Sequence, residues 1–439
     1  MFIRRIKKAL PILLAAGVPG LLPAQEPYRL GIDEMFELAD RNSRSIRTFA
    51  LAEQEAGQSV KTAKNALLPS VDVSLSASYL GNGWMADRNF SKGMNAPIPH
   101  FGNNFAIEAS QVIYAGGALS SGLEVARLQM QTAELDKELN RQDIRFLLTG
   151  NYLELYKLHN QSEVYRKNIG QTERLLADIR AKQQQGLALK NDITRYELQL
   201  QSLELALTQI ENSKIILNDE LATILGLPEQ TVIAVDTAIL DRLPQTDTET
   251  QWQQSATETA PALKQAQLGV AQSEHGVKIA RAERLPSVAL FAGDRLDGPV
   301  TFEIPPLDRN FNYWYAGVGL KFNIASTYKS RHKVNRAKIA VQRAAENERL
   351  LRDRTRTEVK AAYVRFVESF TIHETQLKSL ELANQNYDVI RNRYLNDLAL
   401  ITDMLDASNS KLSAELQVAN ARINILFNYY RLKKAAGDL

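Results

Sequence analysis

Two very long stretches without proline and with few glycines dominate the pattern of the chain. The first extends from Gly117 to about Gln185, and the second from about Thr327 to Asn396. An α-helix rises 1.5 Å per residue, so each stretch is long enough for a rod of roughly 100 Å. Helices of ordinary globular proteins average three or four turns. The pattern therefore predicts elongated helical hairpins rather than the core of a compact enzyme.

Each rod is followed by a short turn and a returning helix. The turns comprise Gly186–Asp192 and Asp397–Asp403, and their shared Leu-Ala-Leu sequences lie 211 positions apart. Large side chains in the first returning helix recur at alternating steps of three and four residues, and all except Lys214 are apolar. This heptad spacing predicts coiled-coil packing along a neighbouring helix. The residues are Ile193, Tyr196, Leu200, Leu203, Leu207, Ile210, Lys214, Leu217, Leu221 and Ile224.

Four other stretches have the period of two that is typical of β-strands. We predict strands at about 69–80, 103–114, 287–294 and 311–323. In the first of them, apolar residues from Val71 to Tyr79 alternate with aspartate and serine, which gives one apolar and one polar face. Each strand pair precedes one of the rods.

The same order of elements therefore occurs twice: helix, strand, loop, strand, rod, turn and returning helix. We predict a first repeat over 25–226, with its hairpin at about 117–226, and a second over 260–439, with its hairpin at about 327–436. Residues 227–259 form a linker between the repeats.

Composition narrows the class of protein further. Residues 1–24 have the pattern of a secretory signal peptide, with four Lys or Arg residues followed by an apolar run. Without this segment, the formal net charge falls from +3 to −1, so a nucleic-acid partner is not expected. The lack of cysteine excludes disulfides and thiolate metal sites. No later apolar run reaches 18 residues, so any membrane crossing must use the strands.

Four strands cannot close a barrel, because their sheet would leave two open edges in the bilayer. Known single-chain barrels begin at eight strands. We therefore predict that several chains share one barrel, and three copies would supply twelve strands. The predicted fold class is mainly α, with long coiled-coil hairpins that continue a transmembrane β-barrel, four strands per chain and an internal two-fold repeat.

These features resemble the outer membrane efflux (TolC-like) protein family over essentially the whole chain after the signal segment. The most telling local matches are Gly186–Ala188 with Asp192 at one hairpin tip, and Tyr394 with Thr402–Ala407 at the other. The resemblance implies a homotrimeric 12-stranded barrel in the outer membrane of a Gram-negative bacterium, in contact with lipid. A helical tunnel would extend from this barrel into the periplasm.

The resemblance also implies a function and a middle domain. The duct would passively export small molecules or proteins, delivered by a periplasmic membrane-fusion (adaptor) protein and an inner-membrane pump of the RND or ABC type. An equatorial belt around the tunnel would be built from 28–42, 227–259 and the C-terminal tail.

Two aspartates are candidates for a pore gate. Asp403 and Asp406 lie at i and i+3 at the start of the second returning helix, and so share one face. On the residues alone, Asp403 caps the helix and Asp406 complements its dipole. The family's matching acids form rings at the narrow periplasmic mouth, which implies a cation-selective constriction. Asp192, the equivalent residue of the first tip, is expected as a cap or as part of the closed-state network.

The residues that hold the mouth shut depart from the family pattern. Tyr394 matches a tyrosine that hydrogen-bonds across neighbouring coils in the family; the alternative is a residue packed on the inner hairpin. The family has an arginine four residues before the first aspartate of the gate, and this chain has Ala399 there. Arg391 or Arg393 are the substitutes that the sequence offers.

The tips and the strand ends provide two further groups of candidates. Small residues in the tips would let an adaptor hairpin approach closely, although turn formation alone also explains them. The docking candidates are Gly186, Leu187, Ala188, Asp397, Leu398 and Ala399. Aromatic residues near the strand ends are typical of a membrane-interface girdle, and Tyr79, Trp314 and Tyr315 are assigned to it. Trp84 fits either the girdle or a scattered surface position.

Neither catalysis, nor a cofactor, nor a metal site is expected. The histidines are isolated, and the chain has no HExxH, Gly-x-Ser-x-Gly or phosphate-loop motif. The remaining alternative to an efflux duct is a secreted or periplasmic coiled-coil scaffold without transport activity. In a scaffold, the strands would form a small soluble sheet, and another part of the protein would have to cover their apolar face.

Overall fold

A computed structural model describes residues 27–439 except 237–243, 245, 246, 304 and 397. The predicted signal segment 1–24 and the docking candidate Asp397 lie outside the described residues. Within the described part of the chain, no helix combines the length and apolarity needed to cross a membrane.

Long helices make up most of the fold, and two antiparallel hairpins form its axis. The helices are, in chain order, α1 (Ile32–Asn42), α2 (Arg44–Asn65), α3 (Ala118–Gln184), α4 (Lys190–Leu225), α5 (Glu249–Thr259), α6 (Pro261–Ala282), α7 (Ile324–Lys329), α8 (Arg331–Leu395) and α9 (Ile401–Ala436). Helix α3 packs against α4, and α8 packs against α9. Nearer the strands, α2 packs on α3, and α6 lies against both α3 and α8.

The predicted heptad seam faces the helical partners of α4. All ten seam residues are buried or half-buried, whereas Leu198, Leu205 and Ile215, which lie off the seam, are exposed. The 3–4 spacing therefore identified the packing face correctly. The exposed leucines and isoleucine form a second apolar stripe on the opposite side of α4.

The main sheet has four antiparallel strands in the order β2-β5-β7-β8. The strands are β1 (Tyr28–Leu30), β2 (Ser70–Tyr79), β3 (Gly83–Met85), β4 (Met94–Ala96), β5 (Phe101–Ala115), β6 (Ile233–Val235), β7 (Ser287–Gly298) and β8 (Phe311–Lys321). Strands β3 and β4 form a small hairpin in the loop that precedes β5. The two predicted strand pairs are thus joined in one sheet through β5 and β7, and β2 and β8 are its edges.

A core at the middle of the rods ties the chain start and the linker to α3. Strands β1 and β6 pair in parallel beside Tyr152 of α3. The Tyr152 hydroxyl donates a hydrogen bond to the Leu30 carbonyl at 2.5 Å and accepts one from the Asp236 backbone N–H at 2.9 Å. Burial raises the pKa of Tyr152 to about 12, so the hydroxyl keeps its proton at neutral pH and can donate. A second cluster packs Trp252 of α5 against α8 and α9.

Candidate functional site: the hairpin tips and the faces of the sheet

The two hairpin tips share a backbone hydrogen bond that spans five residues. At the first tip, the Leu187 N–H bonds the Lys182 carbonyl at 2.9 Å, and the Gly186 N–H bonds the Gln183 carbonyl at 3.0 Å. This pair is a Schellman motif, and Gly186 has the left-handed φ of +77° that the motif requires. At the second tip, the Leu398 N–H bonds the Arg393 carbonyl at 2.8 Å, again across five residues.

The first aspartate of each returning helix is an N-terminal cap. Asp192 accepts a hydrogen bond from the Leu189 N–H at 3.0 Å, and Asp403 accepts one from the Leu400 N–H at 3.1 Å. Asp403 and Asp406 are both exposed, whereas Met404 beside them is buried. Asp403 therefore caps α9, as the residues alone predicted. Both carboxylates are also accessible from the surroundings of the tip.

Tyr394 lies between the two hairpins, with only 8% of its surface exposed. It belongs to an apolar cluster with Tyr196 and Met404 of the returning helices and with residues of α3. Burial is the main cause of the raised pKa of the Tyr196 phenol, and the nearby Tyr394 and Tyr387 raise this pKa further. The ring of Tyr394 therefore packs on the neighbouring hairpin, in agreement with the packing alternative.

A lysine that the sequence analysis overlooked reaches across from α3 to Tyr394. The Lys182 ammonium lies 5.3 Å from the centre of the Tyr394 ring, within cation–π range. It also lies 3.5 Å from the Tyr394 carbonyl and 3.4 Å from the Leu395 carbonyl, at the negative end of the α8 dipole. Arg391 and Arg393 are exposed. Lys182 is thus a cation in contact with the Tyr394 ring.

The residues predicted to dock an adaptor divide into two groups. Ala188 and Ala399 are half-buried and pack on the Tyr394 cluster, so they help to hold the tips together. Gly186 is exposed, with open space where a side chain would begin. Leucines that flank the alanines at both tips are also exposed: Leu187, Leu189, Leu398 and Leu400. Leu189 and Leu400 were not among the predicted docking residues.

The strand register separates an apolar from a polar face of the sheet. One row across the sheet is Val73, Ile107, Asp294 and Trp314, and the adjacent row is Asp72, Glu108, Gly293 and Tyr315. Successive residues of a strand point to opposite faces. The face with Val73 is apolar on the edge strands, where Val71, Val73, Leu75 and Tyr79 are 63–79% exposed. The other face carries serines, carboxylates and Arg295.

This register corrects one of the predicted girdle residues. Tyr79 and Trp314 both lie on the apolar face and are strongly exposed. Tyr315 lies on the polar face, where its hydroxyl donates a hydrogen bond to the Glu108 carboxylate at 3.0 Å. It cannot share a girdle with Trp314, because neighbouring residues of β8 face opposite ways. The prediction was wrong for Tyr315 because it used distance from the strand end and not the period of two.

Residues 36–227 and 252–438 match the family described as outer membrane efflux protein. The matched segments contain both hairpins and all four strands of the main sheet. The chain belongs to the outer membrane efflux protein family. This confirms the resemblance and the fold class predicted from the sequence, and it places the chain in a family of outer-membrane channels.

Other outer membrane efflux proteins match over most of their length. The pyoverdine export outer membrane protein OpmQ of Pseudomonas putida is 24% identical over 420 residues, which are 92% of this chain and 85% of OpmQ. The outer membrane protein TolC of Vibrio cholerae is 21% identical over 442 residues, which are 99% of this chain and 96% of TolC. The similarity thus covers the whole architecture and not the hairpins alone.

Solved channels share the fold at lower sequence identity. The outer membrane protein VceC of Vibrio cholerae superposes with a TM-score of 0.77 and 16% identity, covering 92% of this chain and 96% of VceC. The open state of the MtrE channel of Neisseria gonorrhoeae superposes with a TM-score of 0.74 and 16% identity, covering 92% of this chain and 88% of MtrE. The fold of this efflux protein is therefore that of the solved channels.

Proposed function

We propose that three copies of the chain form one exit duct through the outer membrane. The observation that carries this proposal is the pair of edges, because β2 and β8 each pair with one strand only in the described sheet. Lipid cannot satisfy the hydrogen-bonding groups of an open edge. Joining β2 of one copy to β8 of the next closes a barrel of twelve strands, with the apolar face towards lipid and the polar face towards water.

The hairpins then extend the duct into the periplasm. Three copies of α3, α4, α8 and α9 form a helical tunnel, and the exposed stripe of α4 offers apolar surface for contact between copies. The chain is divided into the repeats 25–226 and 260–439, and the linker 227–259 contributes to a belt at the middle of the tunnel. An adaptor protein contacts the exposed leucines at the tips, and an inner-membrane pump of the RND or ABC class supplies small molecules or proteins for passive export.

The exposed apolar face of the main sheet argues against the alternative of a soluble scaffold. A soluble protein would cover a face that carries Val71, Val73 and Leu75, because large exposed apolar patches promote association. These side chains are exposed along β2, and no described segment lies over them. Strand β2 has 10 residues, the length with which a tilted strand crosses a bilayer, so its apolar face suits lipid.

We also propose that carboxylates form a gate at the periplasmic mouth of the tunnel. In the trimer, Asp403 and Asp406 provide six carboxylates that converge on the periplasmic opening. Rings of carboxylates favour cations over anions in channels. The capping bond of Asp403 does not compete with this role, because a carboxylate has two oxygens and about four acceptor positions.

Replacing both Asp403 and Asp406 with asparagine should lower cation selectivity several-fold in planar bilayers. Asparagine still accepts a hydrogen bond at the start of a helix, so α9 keeps its cap while the charge is lost. The measurement is the reversal potential in a salt gradient. Asp192→Asn makes the same change in the equivalent cap and tests whether both tips line the mouth. Unchanged selectivity in the double variant would disprove the carboxylate ring, whereas a protein that forms no channel would disprove the duct.

A further inference from the structure

A continuous row of aromatic rings crosses the polar face of the sheet. Ring centres are 5.9 Å apart between Phe302 and Phe311, 5.5 Å between Phe311 and Tyr313, 6.2 Å between Tyr313 and Tyr315, and 6.1 Å between Tyr315 and Phe291. The other side chains of this face in the first strand pair are mostly serine, asparagine and carboxylates. The row is therefore an aromatic stripe on the otherwise hydrophilic polar face of the main sheet.

Glycines on the neighbouring strand make room for two of these rings. A Cβ atom at Gly293 would lie 2.7 Å from the Tyr315 ring, and one at Gly317 would lie 2.8 Å from the Phe291 ring. Both distances are shorter than real contacts allow. Each ring consequently lies against the backbone of the adjacent strand and does not stand upright. One side of each ring is thus close to the adjacent strand, and 40% of the Phe291 surface remains exposed.

The charges beside the row favour a cation. The guanidinium of Arg295 is already held by Glu108, whose Oε1 accepts a hydrogen bond from its Nε at 2.9 Å, and it lies 5.8 Å from the Tyr315 ring centre. Asp72 and Asp297 lie on the same face as Glu108, and Lys321 is the second cation there. Carboxylates outnumber cations on this face of the strands. Aromatic faces also attract cations through the ring quadrupole.

We propose that the aromatic row is a contact track for planar aromatic cations that move through the lumen. The inference rests on the proposed duct, because the polar face lines a pore only there. From Phe311 to Gly317, the row spans about 20 Å along the strand at 3.4 Å per residue, which at a strand tilt of about 40° is roughly 15 Å of the ~25 Å height of the apolar band of a barrel. A series of similar, weak contacts suits conduction, because cargo must bind well enough to enter and loosely enough to leave.

The test is transient block of single channels by N-methylacridinium, with tetraethylammonium as a cation that lacks a ring. In the double variant Phe311→Leu and Tyr313→Leu, the acridinium residence time should fall about tenfold or more, because stacking on one ring contributes roughly that much. Leucine keeps the row apolar and removes the ring faces. Phe311 and Tyr313 are partly exposed, so little buried surface is lost.

The matched control is Phe105→Leu, since Phe105 lies on the apolar face of β5. It should leave the acridinium residence time unchanged, and neither variant should alter block by tetraethylammonium. Equal acridinium residence in the double variant and the natural protein would overturn the proposal. An equal loss in Phe105→Leu, or a double variant that no longer assembles, would assign the row a structural role and would also overturn it. Failure of the natural protein to form channels would instead count against the duct.

Discussion

Replacing Leu187 and Leu398 with glutamate should reduce export by intact cells more than tenfold while leaving the isolated pore unchanged. The two leucines hold equivalent positions of the two tips and are 62% and 67% exposed. Burying a leucine stabilises a complex by about 1.5–3 kcal/mol. Losing both therefore removes roughly 3–6 kcal/mol from adaptor binding, which is about 10²- to 10⁴-fold in affinity. Glutamate adds the cost of burying an unpaired charge.

The measurement is efflux of a fluorescent dye from cells, together with recovery of cross-linked adaptor on the purified protein. Both substituted side chains are exposed, so the tips should keep their fold and the pore should keep its conductance in bilayers. The matched control is methionine at both positions, which preserves an apolar surface and should preserve export. Normal export and normal adaptor recovery in the glutamate variant would exclude the leucines as docking residues.

Replacing Lys182 with methionine should raise the conductance of the resting channel. The lysine joins α3 to the end of α8 through the Tyr394 ring and two carbonyls, so its removal frees one hairpin from the other. A cation–π contact contributes ~0.5–2 kcal/mol. If the mouth opens in one step, three copies shift the equilibrium by about 1.5–6 kcal/mol, or roughly ten- to 10⁴-fold towards the open state.

Single-channel recordings at low voltage measure this effect. Lys190→Met is the matched control, because Lys190 is an exposed lysine of the same tip and its removal changes the charge without affecting Tyr394. Ala399→Arg in the Lys182→Met background should lower the conductance again, since it restores the arginine of the family pattern. Ala399 lines a cavity of about 350 Å³ together with Asp192 and Tyr394, which leaves room for the arginine. Unchanged conductance in Lys182→Met would show that the lysine does not hold the mouth shut.

Periodicity was a sufficient guide to the fold because each period reports a packing face. The 3–4 spacing in α4 marks the side that is buried against other helices, and the period of two in the strands separates an apolar from a polar face. The repeated Leu-Ala-Leu located two turns that share the hydrogen bond across five residues, from Leu187 to Lys182 and from Leu398 to Arg393. The small hairpin of β3 and β4 was missed, since each of its strands has only three residues and no alternation to recognise.

The contacts at the hairpin tips were harder to predict from the sequence. Asp192 and Asp403 could be recognised as caps because capping is local and depends on residues three positions apart. The contact between Lys182 and Tyr394 could not be predicted in this way, since the two residues are 212 positions apart along the chain. A lysine in the last turn of a helix is common for dipole reasons alone, so its type and place gave no specific signal. Tyr315 was assigned to the wrong face by position, although the alternation of β8 already separated it from Trp314.

In the proposed duct, one chain supplies four of the twelve strands of a closed barrel. The most direct test is the native mass of the particle extracted from membranes in mild detergent, after subtraction of bound detergent. Because the open edges of β2 and β8 must pair with strands of other copies, we predict a particle of three chains. A folded single chain, recovered without detergent, would contradict the claim, because its sheet would then be stable in water with both edges open.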